Sequence, residues 1–326
     1  MTLVETRRVT VAGIARASQG ITPVFLRTPI VQHDDLDAWL GARIACKVES
    51  LGPLRSFKGR GGDWFMRQRT TTGPVCAASA GNFGQALAWA ARAAGEACTI
   101  FASVNASALK LARMRALGAS VIQEGTDFDG AKDAARAHAA SHGIEFVEDG
   151  DALAITEGAG TIAVELANAV KLDTLLVPLG NGALLAGVAT WMKAVSPGTR
   201  IVGVVADGAP AMMRVLTGIQ VDRSTPVSTI ADGIAVRVPV KSAVDDLRGL
   251  ADDYVAVGED AIVAAMRGLI AHAGLIVEPA GAVGIAAMLS APHGNYGERV
   301  ATILCGGNVT TDQLSAWGVL RPSVGA

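Results

Sequence analysis

The sequence predicts an α/β protein with mostly parallel sheets flanked by helices, and three observations carry that expectation. Of the 326 residues, 50% are apolar, only 18% are charged and 38 are glycine, a composition suited to strands covered on both faces. From residue 74 onward, short apolar runs alternate with longer stretches of helical periodicity, the pattern of repeated βα units with right-handed crossovers. Four of the connections that leave apolar runs hold more Gly, Asn and Ser than a turn requires. In parallel sheets, ligands bind beyond the carboxyl ends of strands.

The elements follow in order. PVCAAS (74–79) reads as a strand, and 83–94 as a helix with Phe83, Leu87, Ala90, Ala91 and Ala94 on one face. ACTIFA (97–102) is the next strand; Ser107 can cap the following helix, and Gly118 stops it. ASVIQE (119–124), a helix over 128–140 and IEFVE (144–148) complete a compact block. A second series comprises a helix over 157–170, the strand TLLVPL (174–179), a helix over 183–195 and the strand RIVGVVA (200–206). YVAV (254–257), a helix over 259–273 and VATILC (300–305) close it. No repeat, low-complexity tract or linker is evident, so a domain boundary is expected near 148–152.

Composition narrows the function. A net charge of −2 leaves no electrostatic footprint for nucleic acid or an anionic membrane, so the partner is a small molecule or a second copy of the chain. Cys46, Cys76, Cys98 and Cys305 lie at long intervals with no C-x-x-C, which supports neither a zinc ribbon nor a disulfide framework. The first 17 residues carry charge without an apolar core, and no run approaches the roughly 20 apolar residues of a membrane helix, so a cytoplasmic protein is expected. His138 and His142 have i,i+4 spacing but stand before Gly143, where cations at a helix end are ordinary.

The rich connections are ESLGPLRSFKGRGG (49–62), ASAGNFGQ (78–85), PLGNGALLAG (178–187) and CGGN (305–308). In PLGNGALLAG a strand ends at Leu179, Gly180 and Gly182 let the backbone approach a ligand, and a helix begins, as an anion cradle requires. A Gly-rich turn with no ligand reads equally well. A dinucleotide loop reads poorly, because Leu185 stands where G-x-G-x-x-G needs its third glycine. In SFKGRGG, Lys58 sits among small residues beside Phe57, a setting for Schiff-base chemistry; alone it also reads as a surface lysine near Arg55 and Arg60.

Taken together, these segments resemble the fold-type II pyridoxal-5′-phosphate (PLP) enzymes, in particular the serine/threonine dehydratase and serine racemase branch. The resemblance runs from Thr28-Pro29 to Asn308. S-F-K-x-R-G matches the cofactor-lysine motif, S-A-G-N-x-x-Q the substrate loop, and G-N-G-A-L stands in place of a tetraglycine phosphate loop. A-D-G-I-A-V (231–236), E-P-A-G-A (278–282) and C-G-G-N match the remaining signatures. The resemblance implies two domains with the cofactor in the cleft between them. Residues 1–64 and 150–326 would form the large PLP-binding domain and 65–149 the small one, in a homodimer.

It further implies that Lys58 carries the cofactor and is the base at Cα, with Phe57 near the ring and Asn82 bonded to the ring hydroxyl. The backbone of Gly180, Asn181, Gly182, Ala183 and Leu184 would hold the phosphate, Cys305 would face the ring nitrogen, and Ser79, Ala80, Gly81 and Asn82 would receive the substrate carboxylate. A thiol cannot hold a proton on that nitrogen, which favours β-elimination over transamination. The implied activity is ammonia-lyase action on threonine, serine or a close β-hydroxy analogue, the hydroxyl leaving protonated through the cofactor phosphate.

Departures refine this. Ala80 stands where racemases carry an acid/base serine, and Phe83 where histidine is frequent. Asn181 and Ala183 interrupt the tetraglycine. Val205, Ala209 and Ala211 occupy the relatives' metal-ligand positions, so no metal is expected. Arg55 replaces a common glycine; it is either a recognition group for a second substrate carboxylate or a solvated rim residue. The competing readings are a β-replacement synthase of the cysteine-synthase type, disfavoured by S-A-G-N in place of T-S-G-N, an amino-acid racemase, and a non-catalytic small-molecule-binding regulatory module. Only 18 residues follow Asn308, so no C-terminal regulatory domain is expected.

Overall fold

The computed structural model describes residues 7–222 and 224–320; the first six residues of the charged N-terminal stretch lie outside them. Among the described residues, ten strands form two sheets. They are β1 (Ile30–Val31), β2 (Arg43–Val48), β3 (Val75–Ala78), β4 (Cys98–Ala102) and β5 (Ser120–Gln123). β6 (Glu145–Phe146), β7 (Thr174–Pro178), β8 (Arg200–Ala206), β9 (Asp253–Val257) and β10 (Arg299–Leu304) follow. The larger sheet has the order β1-β2-β10-β7-β8-β9, parallel except for the β1–β2 pair; the smaller is β5-β4-β3-β6 and wholly parallel.

The four inner strands of the larger sheet, β2, β10, β7 and β8, are almost continuously buried, as expected of strands covered on both faces. The principal apolar core surrounds that sheet, and separate clusters flank the smaller one. Because all the pairings but one are parallel, the connections leaving β2, β3, β7 and β10 emerge at carboxyl ends, and these are the four rich segments picked out in the sequence.

Strands 200–206 and helices 183–195 and 259–273 fall where the periodicity puts them, and the helix read at 83–94 runs Asn82–Ala93. The helix expected from residue 157 begins at Leu153, and its first turn already buries Ile155 and Thr156. Ser107 occupies the N-cap of Ala108–Ala116 but its side chain makes no capping bond, while Gly118 adopts φ +100° beyond the helix end. His142 ends Phe128–His142, its ring bonded to the His138 carbonyl at 2.9 Å, as a helix terminus predicts. No helix among the described residues is long and apolar enough to cross a membrane.

The largest correction concerns the segment read as a loop over 49–62: the loop stops at Phe57, and Lys58–Gln68 is an α-helix. Three glycines argue against a helix by propensity, yet packing demands them. A Cβ on Gly61 would lie 2.7 Å from the Ile155 carbonyl oxygen, and one on Gly62 would lie 2.9 Å from that of Ala86. The helix is therefore wedged against its neighbours, backbone to backbone, and its first residue, Lys58, is held firmly at the mouth of the β2 connection.

Candidate active site

Four connections converge on one cavity of about 460 Å³, within the range of small-molecule sites. Phe57 and Lys58 enter it from the β2 connection, and Ser79, Ala80, Gly81 and Asn82 from the turn after β3. Gly180, Asn181, Gly182, Ala183 and Leu184 enter from the turn after β7, and Cys305 from the end of β10. Every residue to which the resemblance gives a cofactor or substrate role thus lines the same space, Arg55 standing apart from it.

The Lys58 ammonium lies 4.8 Å from the Phe57 ring centre and 6.0 Å from that of Phe83, within cation–π range. Its Nζ donates to Asp149 Oδ2 at 2.5 Å. Across the cavity, Gly182 takes φ +100° to start the helix Ala183–Val195, a conformation that favours glycine. Ala186 N–H is the first to reach back, donating to Gly182 O at 2.9 Å. The preceding amides have no acceptor within the helix and form a cradle for an anion.

The floor is a polar lattice around Asn308. Its Nδ2 donates to Leu54 O (2.9 Å) and Asn82 Oδ1 (2.7 Å), and its Oδ1 accepts from Arg113 Nη1 (2.6 Å). Glu278 Oε1 accepts from Asn82 Nδ2 at 2.7 Å, and Oε2 from Asn308 N–H at 3.1 Å. The CGGN turn is stitched to the lysine turn: Phe57 N–H donates to Cys305 O, and Gly307 N–H to Arg55 O. Burial, with a smaller push from Glu278, drives the Cys305 thiol far up, so it is a neutral SH at pH 7.

Burial also pushes the Glu278 carboxyl up to about 7 from an ordinary 4.5, against the pull of Lys110 and the amide donors. A raised carboxyl contributes stability that is present below pH 4.5 and lost as pH climbs through about 7. The loss is at most about 3 kcal/mol. The unfolding midpoint in urea is therefore expected to fall between pH 5 and pH 8, and Glu278→Gln to flatten that slope. A slope unchanged in the variant would refute the assignment.

Two inter-sheet ion-pair groups line the same cavity. Lys110, on the helix Ala108–Ala116, pairs with Asp232; Arg237 pairs with Asp129 and, at 2.7 Å, with Asp127. They join the connection carrying residues 232–237 to the elements around the smaller sheet.

Arg55 is exposed and does not line the cavity, which favours the solvated-rim alternative. Its φ of +50° explains why glycine suits this position. Burial first, and then the Arg55 charge, lower the pKa of the neighbouring Arg113. Arg55→Gly is expected to stabilise the fold by about 0.5–1 kcal/mol, since relief of the left-handed strain exceeds the added entropy of the unfolded chain. It should leave the ratio of rates on threonine and 3-hydroxyaspartate unchanged. A selective loss on the dicarboxylate would restore Arg55 as a recognition group.

Sequence reading passed over Asp149 and gave no role to Glu278 or Asn308, although both of the latter stood in quoted motifs. For Asp149 the available signal was an acidic turn, Glu148-Asp149-Gly150-Asp151, directly after a strand.

Residues 21–306 match the family of pyridoxal-phosphate dependent enzymes. The chain is 33% identical over 310 residues to the L-threonine ammonia-lyase of Thermotoga maritima, covering 94% of this chain and 77% of that one. A solved threonine deaminase, from the source abbreviated T.th., superposes with a TM-score of 0.86 at 31% identity, covering 92% of this chain and 99% of that one. A pyridoxal 5′-phosphate-dependent aspartate racemase gives 0.87 at 29% identity, covering 94% and 98%. With two parallel sheets, a lysine-bearing cavity between their carboxyl ends and a family match across most of its length, the chain belongs to the fold-type II pyridoxal-phosphate dependent enzymes.

Proposed function

We propose that the chain is an amino-acid ammonia-lyase that dehydrates and deaminates a small β-hydroxy amino acid, such as threonine or serine, to a 2-keto acid and ammonia. The observation that carries the reading is one cavity holding Lys58, an anion cradle and an uncharged Cys305. The L-threonine ammonia-lyase and threonine deaminase to which the chain is similar support it.

The residues present fit the cofactor. A Cβ on Gly180 would lie 3.1 Å from Ile234 Cα and 3.2 Å from Gly233 O, tighter than ordinary contact, so glycine suits the cradle here. When bound, pyridoxal phosphate supplies an aldehyde that captures an amine and a ring that withdraws electrons from Cα. In this reading Lys58 would hold the cofactor and act as the base at Cα, and the amides of residues 180–184 would hold the phosphate. Asn82, its amide set by Glu278 and Asn308, would bond the ring hydroxyl, and Phe57 would pack near the ring. The turn Ser79–Asn82 receives the substrate carboxylate. The neutral Cys305 thiol would face the ring nitrogen and could not hold a proton there, which would favour loss of a β-substituent over transamination.

A racemase needs a proton carrier on the face opposite Lys58, and Ala80 supplies none. The reading also carries a domain division, residues 1–64 and 150–326 against 65–149, supported by sheets drawing on 30–48 with 174–304 and on 75–146 respectively. A cytoplasmic homodimer completes it. The test is keto-acid release from L- and D-serine, threonine, threo-3-hydroxyaspartate and phenylserine, with recovered amino acid checked for inversion. Release from one or more without inversion is expected; inversion without release would replace the reading with a racemase.

A further inference from the structure

Asp149 is fixed at the most reactive point of the cavity. Its Oδ2 accepts from Lys58 Nζ at 2.5 Å, and both side chains are nearly buried, at 12% and 13% exposure. Its other oxygen, Oδ1, is buried with no hydrogen-bond partner among the described residues. The turn that presents it is pinned from every side. Glu148 is gripped by Lys132 at 3.0 Å and Arg136 at 2.6 Å, and its carbonyl accepts from Asp151 N–H and Ala152 N–H at 3.1 Å. Gly150, at φ +92°, brings the turn so close to the anion cradle that a Cβ there would lie 2.9 Å from Asn181 O. The carboxylate is thus held on the reactive amine by a turn that abuts the cradle, with one acceptor oxygen left over.

We propose that Asp149 is a catalytic residue that binds the β-hydroxyl of the substrate and protonates it as it leaves, a role resting on the lyase reading above. A buried acceptor without a donor is unfavourable, and a substrate hydroxyl on Cβ supplies the donor that Oδ1 lacks. Lys58 takes the Cα proton and becomes an ammonium; Asp149, in contact with it, receives that proton and delivers it to the β-oxygen. The Cα–H electron pair becomes the second bond between Cα and Cβ, the Cβ–O pair leaves with the oxygen, and water departs. Lys58 returns to the amine and Asp149 to the carboxylate, so protons and electrons balance. Because Asp149 touches Lys58, it serves the Lys58 face of the substrate and adds no carrier for inversion. The route does not use the cofactor phosphate as the acid.

Asp149→Asn keeps the shape of the side chain and removes its proton chemistry. In the holoenzyme this variant is expected to lower kcat on the preferred β-hydroxy substrate by about 100-fold or more. β-Chloro-L-alanine, whose chloride leaves without a proton, should be processed within about threefold of the wild-type rate. In the cofactor-free protein, acetylation of Lys58 by acetic anhydride, read by peptide mass spectrometry, should accelerate once the ion pair is gone. Equal losses on both substrates, no loss on either, or unchanged acetylation would overturn the assignment. Wild-type protein that releases keto acid from neither substrate would instead overturn the lyase reading, and this inference with it.

Discussion

Lys58→Ala is expected to abolish keto-acid release, a loss of at least about 1,000-fold, and to leave the purified protein without its yellow colour. The lysine opens the helix Lys58–Gln68, its ammonium projects between Phe57 and Phe83, and its ionic partner is Asp149. No other lysine among the described residues combines that position with the cradle across the cavity: Lys110 is bound to Asp232 and Lys132 to Glu148. Borohydride reduction of the wild type should fix the cofactor on the peptide containing Lys58. Far-ultraviolet circular dichroism separates lost chemistry from lost fold. A label on another lysine, or activity surviving in the alanine variant, would refute the assignment.

The largest effect on stability is expected two residues further on. Arg60 is 1% exposed. Its guanidinium donates to both oxygens of Glu49 at 2.9 Å, to Glu165 at 2.6 and 3.1 Å, and to the hydroxyls of Thr161 and Thr28. Lys47 adds a second cation, 2.5 Å from Glu165 Oε2. Two cations and two carboxylates balance, and the carboxylates more than offset the burial that would pull Arg60 down. Arg60→Leu leaves that balance one charge short inside the protein, at a cost of about 3–5 kcal/mol. Urea unfolding measures it; a loss under about 1 kcal/mol would mean that the cluster reorganises or admits water. The same lattice anchors the helix that begins with Lys58, so partial loss of activity should accompany the loss of stability.

That pair of residues shows where the sequence was legible and where it was not. The repeated βα units after residue 74 were readable because apolar periodicity and strand-end glycines are local signals. The segment SFKGRGG concealed a helix, since Gly59, Gly61 and Gly62 depress helix propensity and only contact with Phe25, Ile155 and Ala86 explains them. Arg60 looked like part of a basic loop; its partners Glu49 and Glu165 lie 11 and 105 residues away, a distance no local pattern reports. β2 and the buried helix Pro279–Ser290 went unread, the first because a buried Lys47 interrupts its apolar run, the second because it is apolar all round. Among the site residues, the motifs led to Lys58, the cradle and Cys305. Asp149 belonged to no motif and emerged only from its contact with Lys58.

The ion pairs that tie the connection carrying Asp232 and Arg237 to the smaller sheet stand partly in the medium, unlike the pair at the reaction centre. Asp232 and Asp127 are about half exposed, so dissolved salt shields these contacts, while Asp149 and Lys58 lie out of its reach. The strength of these cross-ties would then answer to ionic strength, and the Lys58–Asp149 contact would not. Exchanging a few rim charges could adapt such an enzyme to brine or to a dilute medium without disturbing a single atom of its reaction centre.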